Sequence, residues 1–583
     1  MRRTVKAYAA GFLSCLMISA TVAWAFSGGV MREVFYGVRV VINGVEHEFD
    51  WGMEPFIMDG RAFLPVRGIG YVLGVPVDWD DQTSTVYIGR RPQVREAGRT
   101  HLDVLTHSNI WTLDPVESTN ETVGLAVRQI FDTLVVLDYD SMEVKPGLAV
   151  NWDMLDAQTV DMELRQGVTF HNGTPLTARD VQFSLERAVD SWSAWVLADE
   201  INYVEVHDDY NFTIHLREPF VPFLRNLAHS VLSIVSVDHY TAVGEEIFRE
   251  QPIGTGPFVL YSNDLWGQEI RLVRNGNYWG ELPQIETIFI QTVHDGAMRL
   301  ELVAMGHADI ALNIFEHDAA FAQTSPNVTL LRGRGFHVEY IGFNTRVYPF
   351  DNPLVARALN YALDTQAIVA TVFYGMGLPA SGPVANAVWG FAEMGPFEHN
   401  FERARELLIE AGYNTTPGEP GGLSTTIWYN VPNMQRMRIA EFMQFALAEL
   451  NIDVEILGLE WAEYLERTAW GEHDMFILGW IAATGDADYS LLPLLHTSHR
   501  GAVGNRTFFS NAEVDALLEE ARGELDPVRR AEIYARVMEI VSEHPPMIPV
   551  RQAQVLAVVA NDLRGLNFSP MHRHGFSGVF FEE

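Results

Sequence analysis

The sequence contains one cysteine, Cys15, among its 583 residues. A single thiol excludes an intramolecular disulfide and any zinc site built from several cysteines. Basic residues are also scarce, because 40 lysines and arginines stand against 76 aspartates and glutamates and give a formal net charge of −36. A surface of that sign repels the phosphates of nucleic acids and the headgroups of anionic lipids. The acidity is typical of a soluble, outward-facing protein without a nucleic-acid partner.

The sequence also lacks the common motifs of enzymes and nucleotide-binding proteins. It contains no P-loop, no His-Glu-x-x-His and no Gly-x-Ser-x-Gly. Residues 254–256 read Gly-Thr-Gly, but Pro257 follows them, which breaks a dinucleotide fingerprint and predicts a tight turn. His171 is assigned to a turn, and His572 and His574, which share a short tail segment, are interpreted as surface residues rather than metal ligands. The sequence therefore predicts no catalytic residue, no metal site and no cofactor.

The first 25 residues have the composition of a targeting segment. Arg2, Arg3 and Lys6 form a positive end, and residues 7–25 carry no charge and close on Ala-Trp-Ala at 23–25. This pattern predicts export, with the segment either cleaved as a signal peptide or retained as a membrane anchor, since 19 uncharged residues are just long enough to span a bilayer. Attachment of a lipid to Cys15 is the third alternative for this segment. In each case the rest of the chain works outside the cytoplasm.

A small β-rich unit is predicted at residues 32–90. VRVVINGVEHEF alternates apolar and polar residues on both sides of Asn43-Gly44, and Asn-Gly favours a two-residue hairpin turn because both positions tolerate positive φ. PFIMDGRAFLPV repeats the pattern around Asp59-Gly60, RGIGYVLG predicts a short helix, and VDWDDQTSTVYIG predicts a third hairpin. This unit resembles the N-terminal stalk domain first described in copper amine oxidases, with GRAFLPVRGI and STVYIG as its most specific segments. The resemblance implies a spacer or attachment module, with the cell wall as one candidate partner.

Residues 91–100 are polar and predict a linker, and beyond them strands and helices alternate without an internal repeat. LTARDVQFSLERAV predicts a helix, because Thr177 is a suitable N-cap and Asp180 lies three residues on, as in a capping box. NPLVARALNYALD and AEVDALLEEAR predict amphipathic helices, TIFIQTV and DMFILGW buried strands, and TVDMELRQGVTF two strands joined by a turn. This alternation predicts an α/β fold in which helices cover sheets.

Residues 479–489, GWIAATGDADY, form the one constellation suited to chemistry on a ligand. Asp486 and Asp488 lie between two apolar runs, with Trp480 and Tyr489 beside them. Two acids flank the scissile bond in glycoside hydrolysis, but carboxylates two residues apart in a loop tend to point in different directions. Aspartate beside glycine is also ordinary turn chemistry. The residues alone therefore favour turn formation or ligand contact over catalysis.

From about residue 101 to the end, the chain resembles the extracellular substrate-binding proteins of ABC importers, in the family that binds oligopeptides, dipeptides, glutathione and nickel. The most specific signature is KPGLAVNWD followed by TVDMELRQGVTFHNGTPLTARDVQFSLERA. TLDPVESTNETVGLAVRQIFDTLVVLD precedes it, and PIGTGPFVL, GFNTRVYPFDNPLVARALNYALD, ARELLIEAGY and GW…GDADY follow in the order of the family. The resemblance covers essentially all of residues 101–583.

This resemblance implies a two-lobed periplasmic-binding-protein fold of the large class C type, which closes around its ligand by a hinge motion. Lobe I is expected from residues 101–290 and 548–583, and lobe II from residues 291–547. The protein is then a transport component and not an enzyme. It is expected to act as a monomer that delivers its ligand to the permease subunits of an ABC importer. Its expected place is the outer face of the cytoplasmic membrane, as in Gram-positive cells, where it is anchored or secreted.

In this family the Gly-Trp loop lines the cleft, and peptide-binding members carry an aspartate three residues after the tryptophan that pairs with the ligand's α-amino group. Ala483 stands at that position here. The amine then requires another partner, because a buried ammonium without one costs several kcal/mol. The pattern Gly-Trp-x-x-x-Thr-Gly-acid-Ala-Asp-aromatic is similar to the glutathione-binding branch. The expected ligand is therefore glutathione or a short peptide.

Further ligand contacts are expected at positions that match the family. Gln435 and Arg436 are candidates for the carboxylate-binding arginine of dipeptide binders, and Glu121 is a candidate for an amine contact, with a solvated helix start as its alternative. The tryptophans fit core packing equally well. The predicted ligand-binding residues are Trp480, Thr484, Asp486, Asp488, Tyr489, Asn344, Thr345, Trp389, Trp428, Arg436, Trp111 and Thr119.

Two other functions stay open. The same scaffold is used for other solutes: nickel is disfavoured because the matched cleft motifs lack a cluster of histidines, whereas tryptophan faces and aspartates also suit an oligosaccharide. Alternatively, the chain is a surface-structural display protein, which predicts association with the cell wall or with itself and no affinity for small molecules.

Overall fold

The computed structural model describes residues 98–264, 269–395 and 397–582, together with short stretches, mostly strands, between residues 18 and 88. The chain divides into two compact units, and the boundary between them lies between Glu96 and Ala97. The α/β class predicted from the sequence is confirmed for the larger unit, in which both kinds of element alternate.

The N-terminal unit is built from short strands. All three predicted hairpins are confirmed, because the strands on either side of each predicted turn pair in antiparallel fashion. The predicted helix RGIGYVLG lies outside the described residues, as do residues 1–17 of the predicted export segment. The described strands are β1 (Ile18–Ser27), β2 (Val30–Val38), β3 (Val40–Ile42), β4 (Val45–His47), β5 (Phe56–Met58), β6 (Arg61–Phe63), β7 (Val77–Asp80) and β8 (Thr85–Ile88).

The strands of the larger unit range from two to 16 residues in length. The predicted strands TIFIQTV and DMFILGW are confirmed as β18 and β24. The strands are β9 (His101–Thr106), β10 (Val135–Leu137), β11 (Val144–Pro146), β12 (Ala149–Asp156), β13 (Thr159–Leu164), β14 (Ile201–Val206), β15 (Asn211–Leu216), β16 (Phe258–Asp264), β17 (Glu269–Arg274), β18 (Thr287–Thr292), β19 (Ile310–Leu312), β20 (Val328–Phe343), β21 (Leu378–Pro379), β22 (Leu423–Val431), β23 (Ile452–Glu460), β24 (Met475–Ile481), β25 (Met547–Ala560), β26 (Leu563–Arg564) and β27 (Phe580–Phe581).

The helices of the larger unit include the three predicted from the sequence, which are confirmed as α2, α9 and α15 below. Within the described part of the chain, no helix combines the length and the apolar character needed to cross a membrane. The helices are α1 (Glu121–Ile130), α2 (Ala178–Val189), α3 (Trp195–Ala198), α4 (Phe223–Asn226), α5 (Val237–Val243), α6 (Glu245–Glu250), α7 (Gly296–Ala304), α8 (Glu316–Ala322), α9 (Pro353–Ala362), α10 (Thr365–Val372), α11 (Phe401–Glu410), α12 (Met434–Ala448), α13 (Trp461–Trp470), α14 (Asp488–Leu495), α15 (Ala512–Gly523) and α16 (Pro527–Glu543).

One segment differs from its prediction. TVDMELRQGVTF supplies the strand β13, but its second half forms only a single bridge between Thr169 and Pro175. The reason is local, since the backbone N–H of Phe170 donates to the carbonyl of Thr174 and closes a tight turn where a longer strand would need open pairing.

Two sheets organise the larger unit. A four-stranded antiparallel sheet has the order β12-β13-β15-β14. An 11-stranded mixed sheet runs β16-β17-β18-β9-β19-β25-β20-β24-β22-β23, with β21 added beside β25. The long strands β20 and β25 pair along most of their length, and their register breaks between Arg334 and Val338. Gly335 lies in that break, where an added Cβ would stand 2.5 Å from the carbonyl oxygen of Ala553.

Several hydrophobic cores form the interior of the larger unit, and each draws on particular parts of the chain. We use the names lobe I segments for residues 101–290 and 548–583 and lobe II segments for residues 291–547, following the predicted division. One core lies around the four-stranded sheet, and another joins residues 102–290 to residues from 557 onward and includes Ile310 and Leu312 of β19. Strand β24 separates two further cores, because Met475 and Ile477 face one side and Phe476 and Leu478 the other.

Helix α2 begins with the predicted capping box. The Asp180 carboxylate accepts hydrogen bonds from the backbone N–H and the hydroxyl of Thr177, both at 2.9 Å. Its other oxygen accepts from the backbone N–H of Val237 at 3.0 Å, so that one buried side chain fixes the helix start and a following loop.

Replacing Asp180 with alanine is expected to lower the free energy of unfolding by about 2 kcal/mol, because three donors lose their acceptor in a buried place. The measurement is chemical denaturation followed by circular dichroism. Asp190→Ala, at the exposed C-terminal end of the same helix, is the control and should stay within about 0.5 kcal/mol of the parent. Equal losses in the two variants would contradict the role given to Asp180.

Candidate functional site

The Gly-Trp loop joins β24 to α14. Its backbone turns back at Ala482, whose N–H donates to the carbonyl of Phe336. Gly485 has φ 70°, and an added Cβ there would lie 2.7 Å from Cε of Met142 and 2.9 Å from Cδ2 of Leu137. The loop of the lobe II segments therefore packs directly against the β10–β11 hairpin of the lobe I segments, and glycine is required for that approach.

Thr484 and Asp486 shape the loop from within. The Thr484 hydroxyl accepts from the backbone N–H of Asp486 at 3.3 Å, and the Asp486 carboxylate accepts from the backbone N–H of Asp488 at 3.0 Å. Both side chains are buried. Turn formation, one of the interpretations left open by the sequence, is thus present in the structure, and a ligand contact by these two residues stays a prediction.

Asp486 also holds two arginines. It forms an ion pair with Arg530 of α16, and its other oxygen lies 3.4 Å from Nε of Arg225 of α4. The ring of Trp389 packs against both cations, with its centroid 4.4 Å from the Arg530 guanidinium carbon and 5.4 Å from that of Arg225. Burial lowers the pKa of Arg225. Burial is also the largest single influence on Arg530, but the charges of Asp486, Tyr534 and Asp488 and the hydrogen bond to Asp486 together raise its pKa. Because Arg225 belongs to the lobe I segments, this buried network joins the two sets of segments.

A cavity of about 570 Å³ opens beside Asp488. Three predicted residues, Trp480, Asp488 and Tyr489, meet in its wall. The indole N–H of Trp480 donates to the backbone carbonyl of Tyr489 at 2.9 Å, and the centroids of the two rings lie 6.3 Å apart. The remaining wall residues that matter below are Trp195, Glu200 and Phe220 from the lobe I segments and Arg522 from α15.

The charged groups of this cavity are incompletely paired. Asp488 Oδ1 lies 3.8 Å from Arg522 Nε, and neither atom has a hydrogen-bond partner among the described residues. Arg522 donates from Nη2 to Glu200 at 2.6 Å and lies over the ring of Phe220. Burial raises the pKa of the Asp488 carboxyl to about 6, against the lowering effect of Arg522. A buried acceptor and a donor thus stand side by side, each able to take a partner from a ligand.

A second cavity, of about 290 Å³, lies on the other side of the end of β24. Ile481 lines it, whereas its neighbour Trp480 lines the larger cavity, as expected for successive residues of a strand. Glu121 and His572 also line it, and both interact with the side-chain amide of Asn313, at 2.8 and 2.9 Å. No group of side chains in the described ranges has the arrangement needed to hold a metal ion.

The tail histidines correct one prediction. His574 is fully buried and not a surface residue, because its Nδ1 accepts from the backbone N–H of Ser569 and its ring stacks on Phe568 at 4.8 Å. His572 is half-buried in the second cavity. His171 lies in a turn, as predicted, where its ring nitrogens contact the backbone of residues 254 and 256.

Four predicted ligand contacts serve the structure around them and line none of the cavities described. Asn344 donates to the carbonyls of Gly471 and His473, and the Thr345 hydroxyl donates to the carbonyl of Thr507. Trp428 is 4% exposed and belongs to a core.

Arg436 is the fourth of these residues. It pairs with Glu339 at 2.7 Å, and the neighbouring Gln435 donates to Glu316 at 3.4 Å. Trp111 and Thr119 are exposed, and the Thr119 carbonyl accepts from Arg573. Ligand contact by these residues stays a prediction.

Three arginines of the site, Arg225, Arg522 and Arg530, were not predicted from the sequence. Arg522 and Arg530 lie on helices rich in charges, where an arginine ordinarily faces solvent, and Arg225 lies on the short helix α4 as its only charged residue. Their partners are far away in sequence, and only the folded chain brings them to the Gly-Trp loop. No spacing rule within one segment could have identified them.

Comparison with known proteins places this geometry in a family. The family model for bacterial extracellular solute-binding proteins, family 5 (middle), matches residues 143–502, and the model for the copper amine oxidase N-terminal domain matches residues 41–125. Heme-binding protein A of Haemophilus influenzae is 32% identical over 484 residues, which is 78% of this chain and 87% of that protein. Glutathione-binding protein GsiB of Escherichia coli (strain K12) is 31% identical over 481 residues, 80% of this chain and 92% of that protein.

Solved structures agree with the sequence matches. HbpA2 from Haemophilus parasuis superposes with a TM-score of 0.76 at 30% identity and covers 83% of this chain and 100% of that one. DppA from Helicobacter pylori in complex with the peptide STSA gives a TM-score of 0.67 at 27% identity, with 83% and 99% covered. These relatives are solute-binding proteins, not enzymes, which agrees with the expectation from the sequence. The chain therefore belongs to family 5 of the bacterial extracellular solute-binding proteins and carries an N-terminal domain of the copper amine oxidase type.

Proposed function

We propose that the protein captures a peptide-like ligand, glutathione or a short peptide, between the lobe I and lobe II segments and delivers it to the permease subunits of an ABC importer. The observation that carries the proposal is the pair of Asp488 and Arg522 in the wall of the 570 Å³ cavity, whose facing atoms have no hydrogen-bond partner among the described residues. A zwitterion supplies both partners, an ammonium for the aspartate and a carboxylate for the arginine. In this proposal Asp488 pairs with the α-amino group of the ligand, as the aspartate does that peptide-binding members carry at the position of Ala483.

The size and walls of the cavity support this class of ligand. Pockets for small ligands commonly measure about 300 to 1,000 Å³, and the cavity of about 570 Å³ lies within that range. Its aromatic wall residues, Trp195, Phe220, Trp480 and Tyr489, suit the apolar parts of a peptide. Relatives named for glutathione binding and solved with a bound peptide are consistent with the choice.

Ligand binding is coupled to closure in this proposal. Glu200 and Phe220 come from the lobe I segments, whereas Asp488 and Arg522 come from the lobe II segments. A ligand that touches both sets stabilises the arrangement in which they face each other, relative to one in which they are apart. The break in register between β20 and β25 is the point at which the long strands are best able to bend.

The proposal includes the cellular setting. Residues 1–25 direct export and are then cleaved or kept as an anchor, and the N-terminal domain acts as a spacer at the cell surface, with the cell wall as a candidate partner. The protein works as a monomer outside the cytoplasmic membrane. The acidic composition and the family support this placement.

The test uses a matched pair of peptides. Trialanine, or glutathione, should bind the intact chain in isothermal titration calorimetry, and N-acetyl-trialanine should bind about 10 to 100 times more weakly than trialanine, because a charged hydrogen bond to Asp488 is worth about 1.5 to 3 kcal/mol. Native mass spectrometry of the freshly purified chain identifies any ligand retained from the cell. A retained sugar, or no binding of either compound, would overturn the proposal in favour of an oligosaccharide receptor or a structural protein.

A further inference from the structure

A third cavity, of about 130 Å³, lies within the lobe I segments. Helix α1, the 3₁₀ turn at Ser230–Leu232 and the chain around residues 567–577 form its wall. Its volume is far below that of a peptide pocket and suits a group of a few heavy atoms. The side chains that matter are Arg128, Tyr139, His229 and Arg573.

Among the residues that the structure describes, neither arginine of this cavity forms an ion pair. Arg573 is 6% exposed, its Nη2 donates to the carbonyl of Thr119 at 2.7 Å, and its buried Nε has no hydrogen-bond partner in the described part of the chain. Arg128 donates to the hydroxyl of Tyr139 at 3.0 Å. Among the described residues, no carboxylate lies within 4.0 Å of either guanidinium group to form an ion pair. Burying a cation without such a partner costs much free energy, and an anion bound in the cavity would reduce that cost.

His229 adds a third donor. Its Nδ1 accepts from the backbone N–H of Val231 at 3.3 Å, which places the ring proton on Nε2. That Nε2 is buried and has no acceptor in the described part of the chain. Gly124 allows Arg573 to pack closely against helix α1, because an added Cβ there would lie 2.5 Å from Nε of Arg573 and 3.0 Å from the hydroxyl of Ser230.

The acids near this cavity do not neutralise it. The Asp132 carboxylate, which also lines the cavity, is held by the indole of Trp279, the hydroxyl of Thr255 and the hydroxyl of Tyr278. Burial raises the pKa of Asp132, and the charge of Arg128, which acts on this carboxyl through space, lowers it. Glu121 acts on Arg573 only through space, while burial and the charge of Arg128 lower the pKa of Arg573.

We propose that this cavity is a binding site for a small oxyanion, a carboxylate or a phosphate, held by Arg573, Arg128 and the Nε2–H of His229. The anion supplies an acceptor to each orphaned donor and the negative charge that the arginines lack. Two sources share this chemistry, a free anion and an acidic arm of the transported ligand. The inference does not depend on the nature of the cargo, because the cavity, its donors and its charge belong to the lobe I segments alone.

The test is thermal unfolding and calorimetry of the intact chain with inorganic phosphate and with acetate, at constant ionic strength. One of the two is expected to raise Tm saturably, and Arg128→Gln should weaken its Kd at least about tenfold. Arg271→Gln removes the same charge from an exposed position on β17 and should leave the Kd unchanged. Arg573→Gln is the second variant and should abolish binding, provided that its circular dichroism matches the parent.

Competition distinguishes the two sources. If the cargo supplies the anion, phosphate weakens the binding of glutathione and so does Arg128→Gln. If the anion is free, phosphate and glutathione bind independently. The proposal is overturned if neither anion shifts Tm, or if Arg128→Gln and Arg271→Gln change the response equally. A protein that binds phosphate but no peptide would contradict the proposed function and leave this site standing.

Discussion

Replacing Asp486 with asparagine is expected to lower the free energy of unfolding of the larger unit by about 3 to 5 kcal/mol. The carboxylate is fully buried and compensates two buried cations, Arg530 and Arg225. Asparagine keeps the shape of the side chain but removes its charge, so that both guanidinium groups lose their counter-ion beside the ring of Trp389. An unpaired buried charge is among the largest penalties that a single substitution produces.

Differential scanning calorimetry and urea denaturation measure this loss. The matched control is Asp453→Asn, which removes the same charge from an exposed position on β23 and should change stability by less than about 0.5 kcal/mol. Because Arg225 comes from the lobe I segments, the variant should also favour separation of the two sets of segments, which small-angle scattering detects as a larger radius of gyration. A loss below about 1 kcal/mol would mean that the network carries little of the stability.

Replacing Asp488 with asparagine is expected to act in the opposite direction on stability while it weakens ligand binding. Burial raises the pKa of this carboxyl from 3.8 to about 6 in the folded chain. Between about pH 4 and pH 6 the folded state therefore holds a proton that the unfolded state has released, so this residue's contribution to stability falls as the pH rises through that window. Above pH 6 the carboxyl of Asp488 is ionised in the folded state as well, and its destabilising effect reaches its full size. The difference between the two pKa values corresponds to about 3 kcal/mol of folding free energy.

Asp488→Asn should thus raise the free energy of unfolding of the ligand-free protein by up to about 3 kcal/mol at pH 7.5 and leave it unchanged at pH 3.5. The same variant should bind trialanine about 10 to 100 times more weakly, since the ammonium loses its carboxylate partner. Thermal unfolding at the two pH values and calorimetry at pH 7.5 give both quantities. Lower stability at pH 7.5 would show that Asp488 is a structural anion whose pairing with Arg522 outweighs its burial. Higher stability together with weaker peptide binding in Asp488→Asn would show that this residue lowers the stability of the free protein and strengthens ligand binding.

Local chemistry explains which parts of the fold were predictable. Asn43-Gly44 and Asp59-Gly60 specify hairpins through the φ values that they tolerate, and Thr177 with Asp180 specifies a helix start. Each of these signals lies within a few residues of the structure it determines.

The candidate site was predictable only in part, for the same reason. Trp480, Asp488 and Tyr489 lie in one loop and were found together in the wall of one cavity. Their partners Arg522 and Glu200 come from other parts of the chain.

Asn344 illustrates why a predicted ligand contact can have a structural role instead. Its position at the end of a strand suggested a place in the cleft, but its side chain ties two loop carbonyls together. A strand-end residue faces one of two sides, and the sequence around Asn344 does not distinguish them.

The position of β25 in the 11-stranded sheet has a consequence for the folding of the newly synthesised chain. This strand is central, between β19 and β20, yet it is encoded by residues 547–560 near the end of the chain. A ribosome therefore releases most of the polypeptide before the sheet can close, and until then β19 and β20 present unpaired edges that are prone to aggregation. The central pairing of the sheet therefore cannot form until residues 547–560 have been synthesised.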